Sequence, residues 1–223
     1  MVYESLLGAF LPEICPACRE PSARGFCTAC AGRFAVVPEP CARCGLAQPV
    51  ARCPRAAGFR SVTRVVAPFV YAAPLDLHVR ALKYRGARAL GRAIALLVLD
   101  AVRGQSSAVD ALVAVPLHPR RLRERGYNQA AEIARTLARR LTLPLLARGV
   151  GRTAARAPQI ELDARARYAS TAGAFAVTRN LAGMRLAVVD DVITTGATVN
   201  ALARALLAAG AVRVDAWAVA RTL

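Results

Sequence analysis

The chain has 223 residues, 56% of them hydrophobic, with a mean hydropathy of +0.35 and 31 lysine and arginine residues against 14 acids, a formal charge of +17. That length holds one domain and a small appendage, and that apolar content excludes a disordered chain. It does not make a membrane protein. The longest apolar run, Ala93 to Val102, contains Asp100 and lies between Arg92 and Arg103, whereas a spanning helix needs about 20 apolar residues.

In chain order, residues 1–12 read as a short amphipathic helix with Leu6, Leu7, Phe10 and Leu11 on one face. Glu4 and the lack of a basic start make them a poor secretion signal, so a soluble, cytoplasmic protein is expected. Residues 13–58 are rich in Cys, Pro, Gly and Arg without a sustained period, the composition of a metal-stapled module. We therefore divide the chain into residues 1–58, the helix and cysteine-rich module, and residues 59–223, the main domain.

Within the main domain, Ser61 to Ala73 reads as one or two β segments broken at Pro68. Leu75–Tyr84 and Ala87–Val102 read as helices, and Ala111–Val115 as a buried strand. Asn128–Leu141 is an amphipathic helix with Ile133, Leu137 and Leu141 on one face. Residues 148–170 are polar and Arg-rich, with little apolar period. Ala172–Val177 reads as a strand. The clearest unit follows: a strand at Arg185–Val189, a turn at Asp190–Thr198, a helix at Val199–Ala209 stopped by Gly210, and a strand at Val212–Val219. Strand, helix, strand at this length is a right-handed βαβ unit. The alternation predicts an α/β domain with a mainly parallel sheet behind a small N-terminal zinc-ribbon module.

All seven cysteines precede residue 54. Cys15, Cys18, Cys27 and Cys30 form two CxxC pairs, which can supply four thiolates to a tetrahedral, structural zinc. An iron–sulfur site or metal-free thiols are the alternatives. Four thiolates leave no open position, so no metal catalysis is expected there. Cys41, Cys44 and Cys53 make a second, doubtful set, because Ala56 stands where a fourth cysteine would complete it. Pairing of Cys15 and Cys18 with Cys41 and Cys44 is a further possibility. Arg19, Arg24, Arg33 and Arg43 give the module a means of contacting DNA, the other reading being that it braces the larger domain.

The segment from Val188 to Thr198 carries the sharpest chemical signal. Asp190 and Asp191 follow an apolar strand, and the carboxyl ends of such strands are where open α/β sheets bind ligands. The turn of Thr194, Thr195, Gly196, Ala197 and Thr198 opens a helix, whose free N–H groups and dipole suit an anion. Gly196 permits close approach of a phosphate, and the threonine hydroxyls add donors. The two carboxylates suit sugar hydroxyls or a divalent cation, so a sugar phosphate meets both needs. The plainer reading is an ordinary capping turn with solvated aspartates.

A basic half accompanies this turn. Lys83 is the only lysine. A GC-rich coding bias explains arginine in its place elsewhere, but explains the low acid count less well. Arg120, Arg121, Arg123 and Arg125 lie in the run from His118 to Gln129, and forked guanidinium groups suit phosphate oxygens. Tyr127 and Tyr168 offer stacking surfaces of the kind single-stranded nucleic acid uses. Asn128 is either a ligand contact or the cap of the helix after it, and His118 either transfers protons or caps. His78, on its predicted helix, reads as structural.

The VVDDVITTGAT run resembles the phosphate loop of type I phosphoribosyltransferases, which bind 5-phosphoribosyl 1-pyrophosphate (PRPP). Together with ALKYRG at 81–86, the run from Val115 to Gln129 and the preceding CxxC module, it resembles the ComF family over most of the chain. The resemblance implies a phosphoribosyltransferase-like domain behind a zinc module, linked to natural transformation and the use of external DNA. It implies that Asp190 and Asp191 hold ribose hydroxyls and that Thr194, Thr195, Gly196, Ala197 and Thr198 cradle the 5-phosphate. Lys83 would take the pyrophosphate with Mg2+, and Arg120, Arg121, Arg125, Tyr127, Asn128 and Gln129 would line the anion side. Expected partners are PRPP or another phosphorylated ribose, single-stranded DNA, and other competence or DNA-processing proteins. A module that binds single-stranded nucleic acid without turnover is the alternative function.

Overall fold

The computed structural model describes residues 14–47, 53, 56–153 and 173–222. The expected N-terminal helix and most of the Arg-rich stretch, with Arg165, Arg167 and Tyr168, lie outside these residues.

A parallel sheet organises the main domain. At its centre β6 (Arg185–Ile193) lies beside β7 (Arg213–Arg221), with Val188 opposite Ala216. β3 (Ala111–Ala114) pairs with β6, Val113 against Val188. β1 (Val65–Val66) and β2 (Phe69–Val70) both pair with β7. They form one interrupted edge strand, broken as expected at Pro68, which has no N–H to offer a ladder. The strands are apolar runs rather than alternating ones because helices cover both faces.

On one face, α2 (Leu75–Tyr84), α3 (Ala89–Arg103) and α5 (Gln129–Leu141) bury Leu82, Ile94, Val98, Ile133 and Leu137 against Val189, Trp217 and Val219. On the other, α6 (Ala197–Ala208) packs Leu202 and Leu206 among Val113, Leu186, Val188 and Val214. Between these helices the chain forms α1 (Thr28–Ala31) in the cysteine-rich part and α4 (Pro119–Arg125) after β3. An antiparallel pair of short strands, β4 (Val150–Arg152) and β5 (Phe175–Val177), flanks the undescribed stretch. Among the described residues no helix is long and apolar enough to cross a membrane.

Two expectations change in ways that matter for the site. β6 does not stop at Val189 but continues through both aspartates to Ile193, because β7 keeps pairing alongside, Asp190 with Ala218 and Ile193 with Arg221. The aspartates are therefore strand residues, and the turn is confined to Thr194–Gly196. α6 then starts at Ala197 rather than Val199. α4 was not foreseen. It begins with His118 as its cap and Pro119 at its first position, where a missing N–H costs nothing.

Candidate phosphate site and cysteine clusters

The turn after β6 has the geometry an anion site needs. Gly196 adopts φ +83 and opens α6 without a side-chain cap. Thr195 Oγ1 accepts from the Ala197 N–H at 3.3 Å. Thr194 and Thr195 are exposed and Thr198 is half-buried, all at the positive end of a twelve-residue helix.

Behind the turn, the two carboxylates differ. Asp191 is buried at 3% exposure. Its Oδ1 accepts from the Val192 N–H at 2.7 Å and lies 3.0 Å from Lys83 Nζ. Its Oδ2 is buried with no hydrogen-bond partner among the described residues. Asp190 is half-buried and accepts from the Asp191 N–H at 2.8 Å. Burial, helped by the charge of Asp191, pushes its carboxyl up to about 7, while the Asp191 N–H and the charges of Lys83 and Arg152 pull it back.

Lys83, in the last turn of α2, also lines a cleft of 510 Å³ with Tyr84, Gly86, Arg121, Glu124 and Arg125. The Arg125 guanidinium stacks on Tyr84 at 5.2 Å and donates to Gln129 Oε1. Arg152 arrives from β4 and lies over the Phe175 ring at 5.4 Å. Burial first, then the charge of Arg121, holds its pKa below the usual value, and Asp190 opposes them. A strand end with two carboxylates thus meets a wall of cations.

The cysteines form two separate clusters. The Sγ atoms of Cys15, Cys18, Cys27 and Cys30 all lie within 4.8 Å of one another, as do those of Cys41, Cys44 and Cys53. The pairing is thus sequential, and the crossed arrangement is not adopted. Cys18 Sγ and Cys27 Sγ are 3.6 Å apart; thiolates around a tetrahedral zinc at ~2.3 Å stand about 3.8 Å apart. The first cluster can therefore hold a structural metal such as zinc. Although burial raises the Cys15 thiol, backbone N–H groups of Cys27, Cys18 and Ala17 outweigh it and bring it down to about 6. Neighbouring Cys27 and Cys18 push Cys30 up to about 12. Thiols this close cannot all ionise without a cation between them.

The second cluster repeats the first. Cys41, Cys44 and Cys53 reproduce the intervals of Cys15, Cys18 and Cys27, and Ala56 takes the place of Cys30. The local backbone repeats as well. Cys15 N donates to Glu20 O and Arg19 N to Cys15 O; Cys41 N donates to Leu46 O and Gly45 N to Cys41 O. Arg19 and Gly45 both take positive φ. Burial raises the Cys44 thiol, to about 11.

No protein-family model matches this chain. It is, however, 34% identical over 224 residues to the DNA utilization protein YhgH of Escherichia coli K12, covering 96% of this chain and 99% of that one. The same protein of Salmonella typhimurium LT2 is equally similar. Competence protein F of Haemophilus influenzae is 36% identical over 159 residues, 68% of this chain and 69% of the relative. The chain belongs to the ComF family.

Measured against the ComF resemblance, the fold brings Lys83, Asp190, Asp191 and the turn to one end of the sheet, with Arg121 and Arg125 on the cleft wall. Arg120 is exposed on α4. Other expected contacts are used up internally. Tyr127 is 6% exposed, donates its hydroxyl to the Leu82 carbonyl and lies beneath Arg88 at 5.5 Å, so its ring is no platform for a base. Asn128 caps α5 through the N–H groups of Ala130 and Ala131 and donates to Val115 O. Gln129 is buried against Arg125. His118 caps α4, its Nδ1 accepting from Arg120 N at 3.2 Å. His78 meets the edges of Phe26 and Phe34, a structural place.

Sequence reasoning gave no special part to Phe59 and Arg221. Both pack against the turn, and the one sequence signal was an arginine ending an apolar strand and an aromatic ending an alanine–glycine run.

Proposed function

We propose that this ComF-family protein binds PRPP, or a related ribose 5-phosphate, with Mg2+ at the carboxyl end of β6, and that this binding serves the use of external DNA. The observation that carries the reading is Asp191. A buried carboxylate with one oxygen on Lys83 and the other unpartnered offers an acceptor that ribose hydroxyls would satisfy. The turn of Thr194 to Thr198 cradles the 5-phosphate. Lys83, Arg121 and Arg125 line the cleft that receives the pyrophosphate. Mg2+ bound with the substrate would be held on the chain's side by the Asp190 carboxylate and would neutralise pyrophosphate charge, hard oxygen ligands being what it prefers. This arrangement suits the donor half of a phosphoribosyl transfer. In such a transfer the C1–oxygen bond breaks with its electron pair leaving on the pyrophosphate, a lone pair of the acceptor nucleophile forms the new bond at C1, and fixed charges stabilise the positive ribose between the two. A reducing cytoplasm, which keeps thiols free for zinc, is the compartment that fits.

Calorimetric titration of PRPP with Mg2+ tests the reading. Wild type is expected to bind, and Asp190→Ala/Asp191→Ala to lose binding; a folded, metal-loaded wild type that ignores PRPP sinks it.

The second reading, a nucleic-acid-binding module, draws support from Arg120, Arg121 and Arg123, which are exposed on α4, and from the names of the relatives. It predicts DNA affinity that falls steeply with salt and survives Asp191→Ala.

A further inference from the structure

One guanidinium spans the second cysteine cluster and the phosphate turn. Arg221 ends β7 and is 1% exposed. Its Nε donates to the Cys44 carbonyl at 2.7 Å, and its Nη1 donates to the carbonyls of Ile193, at 2.9 Å, and Thr194. Cys44 contributes its sulfur to the cluster, while Thr194 begins the turn. A guanidinium is always charged, and a buried charge that loses its partners is costly. The Cys44 carbonyl and those of Ile193 and Thr194 are thus held in fixed relation.

The segment after Cys53 makes a second connection. The Phe59 ring, 5.3 Å from the Arg221 guanidinium, lies against Gly196 so closely that a Cβ there would stand 2.3 Å from it. A Cβ on Gly58 would meet the Thr195 carbonyl at 3.0 Å. Ser61 N donates to Asn200 Oδ1 at 2.8 Å, and Asn200 N donates to Gly196 O at 2.9 Å. Both arms of the cluster therefore rest on the turn or on the groups that hold it.

We propose that a metal on Cys41, Cys44 and Cys53 braces the phosphate turn through Arg221 and Phe59, so that metal and 5-phosphate ligand bind cooperatively. This deepens the functional reading and rests on it, because it takes the turn to be the phosphate site. The three thiols sit within 4.8 Å of one another. Bonds of ~2.3 Å from each sulfur to one metal turn that crowding into a rigid centre. Ala56 supplies no fourth thiolate, so this metal is held less firmly than one on the four-cysteine cluster. Ligand affinity then follows metal supply. By linkage, the ligand strengthens the metal by the same factor that the metal strengthens the ligand.

The test uses the full chain and Cys53→Ala. The variant is expected to hold one metal fewer than wild type. Amide exchange over residues 193–199 rises about tenfold, with β3 as the unchanged internal reference, and PRPP with Mg2+ binds about tenfold more weakly. In wild type, PRPP makes the second metal about tenfold harder to strip with a chelator, a reciprocity that mere loss of packing would not produce. Phe59→Leu is expected to keep the metal and still loosen the turn. A wild type with metal on the first cluster only, or a Cys53→Ala turn that exchanges like wild type, overturns the brace. A wild type that ignores PRPP overturns the functional reading instead, and the exchange comparison then decides the brace by itself.

Discussion

The two cysteine clusters share one pattern of spacing and, around their first CxxC pair, one local backbone, yet they meet different parts of the domain. The first has four thiols and belongs to the layer of α2 and α3. Phe26 meets Phe34 edge-on at 5.0 Å and His78 at 4.9 Å, and a Cβ on Gly25 would stand 2.6 Å from the Ala93 Cα. The second has three thiols and belongs to the opposite layer, with Phe59, Val65 and the start of α6. Val65 N donates to Ala42 O at 2.7 Å, and a Cβ on Gly45 would meet Val65 Cγ1 at 2.8 Å. A repeated staple therefore does two jobs. The complete copy fastens the module to α2 and α3, and the incomplete copy rests on the turn proposed to hold the phosphate.

Breaking the complete copy gives the largest effect. Cys27→Ser or Cys30→Ser removes a ligand of a site worth roughly 10–16 kcal/mol to such modules. We expect the melting temperature to fall by more than about 10 °C, as thermal denaturation with metal analysis will show. Cys53→Ala is expected to cost less than half as much, and equal losses would erase the distinction between the clusters.

The next effect lies at the carboxylate end of β6. Lys83→Met leaves Asp191 buried without its cation, so urea denaturation should show a loss of ~3 kcal/mol. PRPP binding should vanish with it. Gly196→Ala sets a β-carbon into the Phe59 ring and forces φ +83 on a residue that resists it. A loss of about 2 kcal/mol is expected, and a variant as stable as wild type would mean that Phe59 does not press on the turn.

A separate effect is on pH dependence. Asp190 holds its proton up to about 7 in the folded protein, whereas an unfolded aspartate ionises near 3.9. Between about pH 4 and 7 the folded state binds more protons than the unfolded, so this residue makes stability decline as pH rises through that window. Asp190→Asn should flatten the decline, measured by urea denaturation across the same range, with no difference left at the acid end.

Much of this was legible in the residues. The helix Leu75–Tyr84 was read to its ends because its apolar positions Leu75, Val79 and Leu82 repeat at helical spacing. The break at Pro68 and the cap at Asn128 are local chemistry and could be read locally. The carboxylates and the turn were found because few other structures need an apolar strand, two acids and a hydroxyl-rich glycine turn in succession. α4 was missed because its seven residues are nearly all polar and show no apolar period. Tyr127 was misjudged because an aromatic among arginines looks exposed until α2 supplies the Leu82 carbonyl.

The sequence by itself determined the α/β class, the two sets of thiols and the glycine turn that follows the paired aspartates, since each rests on periodicity or on spacing along the chain. Only the tertiary structure decided that Lys83 faces Asp191, that Arg152 joins the same site, and that Arg221 links Cys44 to Thr194. Those contacts join residues far apart in the chain. Their energies come from burial and charge at short range in space, which a linear pattern does not encode.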